Sequence, residues 1–250
     1  MTALRSLLFN ILMYVWTGLL CVLLLWTLLL PKAGFLAVIR WYLRTLTFLE
    51  KTVLGLDYRV EGLENLPDGP VLIAAKHQSM WETMKLHLIF DDPAVILKRE
   101  LLSIPLWGWY ARKADQIAVD RGGKGRAIAS LIEGGRRIAA QNRPIVIFPQ
   151  GTRVAPGRDL PYRAGVFALY DALDLPVVPM ALNSGVFWGR RAFRKNAGTI
   201  TVQFLEPIPP GLGRDGLAER LRPALEQASD RLAAEAKAGI QNRERPALTP

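Results

Sequence analysis

The sequence predicts an α/β fold, with a single mixed or mostly parallel sheet flanked by helices and preceded by an N-terminal two-helix membrane-anchoring segment. Two observations predict it. From Leu56 onward, short apolar runs alternate with helical patterns, as in strands joined by crossover helices. Before that point no charged residue lies between Arg5 and Lys32, and the stretch that follows sets cations beside an apolar stripe. The composition agrees with both. At 250 residues the chain has the length of one domain plus an appendage, and 50% of it is hydrophobic. Lys and Arg number 32 against 22 Asp and Glu, for a net charge of +10. Such a balance calls for anionic partners, and the apolar excess favours a membrane surface with anionic lipids over nucleic acid. No basic-aromatic binding module is present, so no nucleic-acid partner is expected. The single cysteine, Cys21, excludes an intramolecular disulfide and a Cys-based zinc site.

The membrane anchor is expected over residues 1–52. Its first part, an apolar helix over 7–30, exceeds the roughly 20 residues needed to cross a bilayer, and Pro31 ends it. A cleaved signal peptide fits less well, because its apolar core is about 7–15 residues long and no Ala-x-Ala pattern follows here. Its second part, a basic amphipathic helix over 33–50, repeats Phe35, Val38, Ile39, Tyr42, Leu43, Leu46 and Leu49 at helical spacing. Lys32, Arg40, Arg44 and Lys51 lie largely off that stripe, as in a helix lying among acidic headgroups. If the first helix spans, the basic segment after it places the body on the cytoplasmic face of the inner membrane. A hairpin dipped into one leaflet is the other arrangement the pattern allows.

The α/β domain is expected over 53–240, with a polar tail over 241–250. Strands are predicted at Tyr58–Val60, Val71–Ala75, Ala94–Leu97, Gln116–Val119, Pro144–Phe148, Val177–Met180 and Thr199–Phe204. Helices are predicted at Met80–Ile89, Leu102–Arg112, Lys124–Gln141, Ala164–Leu173 and Asp215–Ala238. In sheets of this kind ligands gather beyond the carboxyl ends of the strands, so residues just past those ends are the first candidates for chemistry.

Two stretches answer that description. In His77-Gln-Ser-Met-Trp-Glu82 a strand delivers a histidine and then a carboxylate. Histidine is largely neutral near pH 7 and can accept a proton, and a carboxylate beside it would orient the ring and stabilise its cation. Five positions apart on one helix the two would diverge, so the pairing requires His77 to precede the helix. Ser79 and Glu82 also match a capping box, a purely structural role for the same carboxylate. In Phe148-Pro-Gln-Gly-Thr-Arg153 a strand stops at Pro149, Gly151 allows a close backbone approach, and Thr152 and Arg153 offer a hydroxyl and a guanidinium. That set suits an anion held at a tight turn. Lys98 and Arg121 add cations at two further strand ends. His87, the other histidine, lies inside a helix without a visible partner and reads as a packing or solvated residue.

In this order the stretches resemble the glycerolipid acyltransferase family, whose four blocks map onto residues 56–210. The first, a histidine, four residues and an aspartate, is His77 to Glu82 here, with glutamate in the acidic place. The second is similar to Lys98–Leu101 with Pro105, Gly108, Asp120 and Arg121. The third, usually Phe-Pro-Glu-Gly-Thr-Arg, is Phe148 to Arg153 with Gln150 for the glutamate, and the fourth is Val177–Met180. The resemblance implies an acyltransferase that moves a fatty acyl group from acyl-CoA or acyl carrier protein to the free sn-2 hydroxyl of 1-acyl-glycerol-3-phosphate, giving phosphatidic acid. Another lyso-lipid such as lyso-ornithine lipid is the alternative acceptor, and a non-catalytic lipid-binding protein the alternative class. It also implies His77 as base and Glu82 as its partner. Arg153, Gly151, Thr152, Arg121 and Lys98 would hold the substrate, with no metal and no cofactor. Gln150 replaces a charge with an amide, so the residue at that place is expected to act through hydrogen bonds.

Overall fold

The structure is a computed structural model and describes residues 2–120 and 124–244. Arg121 and the last six residues of the expected tail lie outside the described residues. The chain opens with helix α1 (Thr2–Leu23), a 3₁₀ turn (Leu25–Leu29), helix α2 (Lys32–Leu49) and a π turn (Glu50–Leu54). The apolar run therefore holds a shorter helix than the expected 7–30. The chain leaves the α-helix after Leu23, the Thr27 hydroxyl bonds back to the Leu24 carbonyl at 2.6 Å, and Leu30 is extended as the residue before a proline prefers. The two helices fold back on each other as an antiparallel hairpin. The Trp16 indole donates to Thr45 Oγ1 at 2.8 Å, and the Thr17 and Tyr42 hydroxyls bond at 2.8 Å.

The body follows the expected alternation: β1 (Leu56–Glu61), β2 (Leu72–Ala75), α3 (Trp81–Ile89), β3 (Ala94–Lys98), α4 (Trp107–Lys113), β4 (Ile117–Val119), α5 (Lys124–Ala139), β5 (Ile145–Ile147), α6 (Ala164–Leu173), β6 (Val177–Leu182), α7 (Ser184–Phe187), β7 (Gly198–Phe204) and α8 (Gly213–Glu244). The helix expected at 102–112 is split. A 3₁₀ turn (Arg99–Ser103) comes first, Pro105 follows, and α4 starts only at Trp107. At the other end α8 continues to Glu244, taking in the first residues of the segment read as a tail.

The seven strands form one mixed sheet in the order β1-β7-β6-β2-β5-β3-β4. β6, β2, β5, β3 and β4 run parallel; β7 is antiparallel to β6 and carries β1 parallel to itself. All four residues of β2 are fully buried, as a central parallel strand covered on both faces requires. Alternate side chains divide between two cores. Ile73, Ala75, Val146, Val178 and Met180 pack with Trp81 and Leu86 of α3, Leu43 and Leu46 of α2, and Phe9 and Met13 of α1. Leu72, Ala74, Ile145, Ile147 and Val177 pack with α5, α6 and the first turns of α8. His77 continues the register of the first face and Lys76 that of the second.

The hairpin is fixed to this body. Phe9 packs edge-on against Trp188 with ring centroids 5.3 Å apart, and Lys195 Nζ donates to Asn10 Oδ1 at 2.6 Å. Along most of its length, however, α1 turns large apolar side chains outward, among them Leu4, Ile11, Val15, Val22 and Leu23, each more than half exposed.

Candidate active site

Beyond Ala75 residues 76–80 form no regular element before α3 begins, with the Lys76 amide still bonded to Met180 O across to β6 at 2.9 Å. His77 thus precedes the helix, the condition its pairing with Glu82 requires. Glu82 turns back over the helix start. Its Oε1 accepts from His77 Nδ1 at 2.8 Å and from the amides of Gln78 and Ser79 at 2.8 and 2.7 Å. Its Oε2 accepts from the Ser184 hydroxyl at 2.7 Å. The Ser79 hydroxyl accepts from the Trp81 amide at 3.2 Å, but α3 begins at Trp81 with Met80 as its N-cap, so only the bond from the Ser79 amide to Glu82 remains of the expected capping box. One carboxylate therefore pins the turn ahead of the helix and holds the imidazole. It is 1% exposed, and four donors compensate its charge.

An ionised carboxylate can only accept, so Nδ1 of His77 carries the proton and Nε2 keeps the basic lone pair. The ring is held flat against Phe148, with centroids 4.0 Å apart and planes 23° from parallel. The Phe148 ring thus comes from the end of β5, the strand neighbouring β2, and belongs to the second sequence stretch.

That stretch folds directly onto the first. Gly151 adopts φ 65°, a left-handed turn that glycine enters without strain, and its amide closes on Phe148 O at 2.8 Å. The Val154 amide donates to His77 O at 2.7 Å, so the Gly151–Arg153 turn is tied to the histidine's own backbone. Arg153 is half-buried and, among the described residues, its guanidinium has no carboxylate partner. Arg190 lies beside it and donates to Arg153 O at 3.4 Å.

The carboxyl end of β6 supplies the third wall. Ser184 follows it and bonds Glu82, while the Gly185 amide donates to Gln78 Oε1 at 2.9 Å. A side chain at Gly185 would press to 2.8 Å from Pro156 and 3.0 Å from Gln78, so only glycine fits this crossing. Sequence reasoning missed Ser184, Gln78 and Arg190. Ser184 was within reach, because it stands just past a predicted strand end on the edge where ligands gather.

The remaining predicted residues lie apart. Lys98 ends β3, two strands or about 10 Å from β2, and is exposed. Arg121 follows β4, the outer edge strand, and falls outside the described residues. The structure thus brings His77, Glu82, Gly151, Thr152 and Arg153 into one place and leaves Lys98 at its margin.

A histidine with one nitrogen on a buried carboxylate and the other without a hydrogen-bond partner among the described residues is equipped to take a proton from a hydroxyl. Beside an arginine with no carboxylate partner among the described residues, it has the chemistry that activation of a hydroxyl on an anionic substrate requires. The comparisons sharpen this. A family model described as Acyltransferase matches residues 57–183, and the chain belongs to that family. It is 34% identical over 209 residues to the 1-acyl-sn-glycerol-3-phosphate acyltransferase of Pseudomonas aeruginosa, covering 84% of this chain and 80% of that one. The enzyme of that name from Saccharomyces cerevisiae is 30% identical, over 73% of this chain and 62% of its own length. The human beta form is 29% identical, over 70% and 62%. The crystal structure of the 1-acyl-sn-glycerophosphate (LPA) acyltransferase, PlsC, from Thermotoga maritima shares the fold at a TM-score of 0.73 and 22% identity, with 93% of this chain and 96% of that one covered.

Proposed function

We propose that this site transfers a fatty acyl group from a thioester, on CoA or acyl carrier protein, to the sn-2 hydroxyl of 1-acyl-glycerol-3-phosphate, giving phosphatidic acid. The observation that carries the reading is the His77–Glu82 pair set beside the Arg153 turn. His77 Nε2 removes the hydroxyl proton as the oxygen attacks the thioester carbonyl. The new C–O bond forms, the C–S bond breaks, and the proton passes from the imidazolium to the leaving thiolate. Base assistance of this kind contributes on the order of 10²–10⁴ in rate. Glu82 fixes the ring and stabilises its cation in the transition state. Arg153, on the Gly151–Thr152 turn, binds the phosphate, and the relatives named for a phosphorylated acceptor support that choice over an acceptor lacking phosphate. Lys98, exposed at the end of β3, adds a cation at the margin of the site.

Residues 1–52 anchor the enzyme. The exposed apolar face of α1 supports a membrane surface as the working environment, at the cytoplasmic face. Helix α2, read from the sequence as lying among headgroups, instead packs Phe35, Leu43 and Leu46 on the protein and turns Lys32 to Asp92 and Arg40 to Asp91 O. The packing of the first turns of α1 on the body supports the hairpin dipped into one leaflet over a spanning helix. Acceptor and product are both lipids, so a site at the interface exchanges them without extraction into water.

Arg153→Ala tests the anion grip. In detergent-solubilised enzyme with lysophosphatidate and acyl-CoA, KM for lysophosphatidate is expected to rise about tenfold or more, the loss of one charge-assisted contact of about 1.5–3 kcal/mol, while KM for acyl-CoA stays the same. An unchanged KM for lysophosphatidate contradicts the assignment.

A further inference from the structure

Beneath the site, on the opposite face of the sheet from His77, lies a buried polar cluster that the mechanism above does not use. Lys76, the residue before His77, is 1% exposed, and its ammonium is paired with Glu226 of α8. Gln150, the residue before Gly151, is equally buried, and its Nε2 donates to Glu226 Oε1 at 2.9 Å. Tyr162, just ahead of α6, donates its hydroxyl to the same oxygen at 2.9 Å. Burial, and then the neighbouring Glu226 charge, push the Tyr162 hydroxyl well above its ordinary range, so it stays a donor. One carboxylate on the C-terminal helix thus gathers three donors. Two of them belong to residues next to the proposed base and the proposed anion turn.

The amide at position 150 has only one workable orientation here. Facing a carboxylate it must present its nitrogen, and its oxygen is left buried without a partner among the described residues. A glutamate at 150, the residue expected from the block pattern, would set two carboxylates in contact. With glutamine there, the negative charge that neutralises Lys76 sits on α8 instead.

We infer that Glu226 is a positioning residue for the transfer reaction: it holds the carboxyl ends of β2 and β5 in register from behind, through Lys76 and Gln150, and so sets the distance between His77 and the Arg153 turn. Its carboxylate supplies, from α8, the negative charge that a glutamate at position 150 would carry. This inference rests on the reading of the site as an acyltransferase centre. A displacement near 1 Å between reacting groups costs about 10² in rate, so a residue far from the substrate can act on kcat by this route.

The test uses the full chain in three forms, Glu226→Gln, Gln150→Glu and the double variant Gln150→Glu/Glu226→Gln, assayed with lysophosphatidate and acyl-CoA beside the wild type. Each also has its thermal unfolding measured. Glu226→Gln leaves Lys76 without a carboxylate, and Gln150→Glu sets two carboxylates face to face. Each single variant is expected to lose on the order of 10-fold to 10²-fold in kcat, with KM for acyl-CoA unchanged. The double variant restores one carboxylate, one amide and one ammonium in the same cluster, and its kcat is expected to recover to within a few-fold of wild type. Recovery of thermal stability without recovery of kcat would assign the cluster to folding alone and overturn the inference. So would a Glu226→Gln enzyme with wild-type kcat. If the wild type itself fails to acylate lysophosphatidate, the proposed function falls instead. Should Glu226→Gln not fold, the comparison of Gln150→Glu with the double variant still decides the matter.

Discussion

At the scale of single residues, the decisive feature is how much rests on Glu82. Its carboxylate accepts from an imidazole, two backbone amides and a serine hydroxyl, so the turn before α3 and the orientation of the His77 ring share one group. The Ser184 bond goes to the oxygen that does not touch His77, which makes Ser184 the cleanest probe of that arrangement. Ser184→Ala is expected to lower kcat about tenfold, the equivalent of about 1.4 kcal/mol of transition-state stabilisation, with little change in either KM. A kcat equal to wild type in that variant would mean that Ser184 does not help hold Glu82. His87 behaves differently. Burial holds its imidazole at about 4 in the fold, against an ordinary 6.5, and its Nδ1 has no hydrogen-bond partner among the described residues. The folded state therefore binds fewer protons than the unfolded chain between those two values. Its contribution to stability is complete above pH 6.5 and is lost as the pH falls toward 4. In urea titrations between pH 7 and pH 4, His87→Leu is expected to show a shallower loss of stability than wild type. Parallel curves would remove His87 as a source of acid sensitivity. The His77–Glu82 pair was legible in the sequence because it is local, spanning five positions. The partners of Glu82 and Lys76 were not, since Ser184 and Glu226 lie 102 and 150 positions away and nothing but the fold brings them back.

At the scale of elements, the joint between the N-terminal hairpin and the catalytic helix is a buried ion pair. Lys85 of α3 meets Glu50, at the end of α2, at 2.8 Å with both side chains almost fully buried. Trp81 donates to the same carboxylate oxygen at 3.0 Å, and Lys85 also donates to Thr47 Oγ1 at 2.5 Å. Burial raises the Glu50 carboxyl and lowers the Lys85 ammonium, each opposed by the attraction of the other. Removing one partner leaves an uncompensated buried charge, so Lys85→Met is expected to cost about 3–5 kcal/mol, whereas Glu50→Gln/Lys85→Met recovers much of that loss. Urea unfolding of the three proteins measures it, and equal stability of Lys85→Met and wild type would contradict the role given to the pair. The central strands β2, β5 and β6 were legible because strands covered on both faces read as continuous apolar runs between turn residues. The internal break of the N-terminal apolar run was not, because Leu24 to Leu30 are as apolar as the helix before them and hydropathy carries no signal for a helix end. The split at residues 99–113 had a visible cause in Pro105, but the amphipathic pattern around it ran on unbroken.

At the scale of the whole molecule, the sheet order explains why stretches scattered over a hundred residues meet in one place. β2 lies between β5 and β6, so the carboxyl ends bearing His77, the Gly151 turn and Ser184 are adjacent. β3 and β4 lie progressively farther out, which leaves Lys98 at the margin. The α1–α2 hairpin closes the opposite end of the account. It packs on the face of the sheet that carries His77 and Glu82 and shows its apolar side chains to the surroundings, so the proposed base and the proposed membrane contact share one side of the molecule. The central claim is that this side performs general-base acyl transfer to a lysophospholipid, and it is tested most directly by one measurement. Purified full-length protein, wild type and His77→Ala, is supplied with 1-acyl-glycerol-3-phosphate and radiolabelled acyl-CoA, and the label in phosphatidic acid is counted. The account predicts steady formation by the wild type and a rate lower by at least about 10²-fold in His77→Ala, with the same thermal unfolding in both. A folded His77→Ala enzyme that keeps a tenth of the wild-type rate would contradict it.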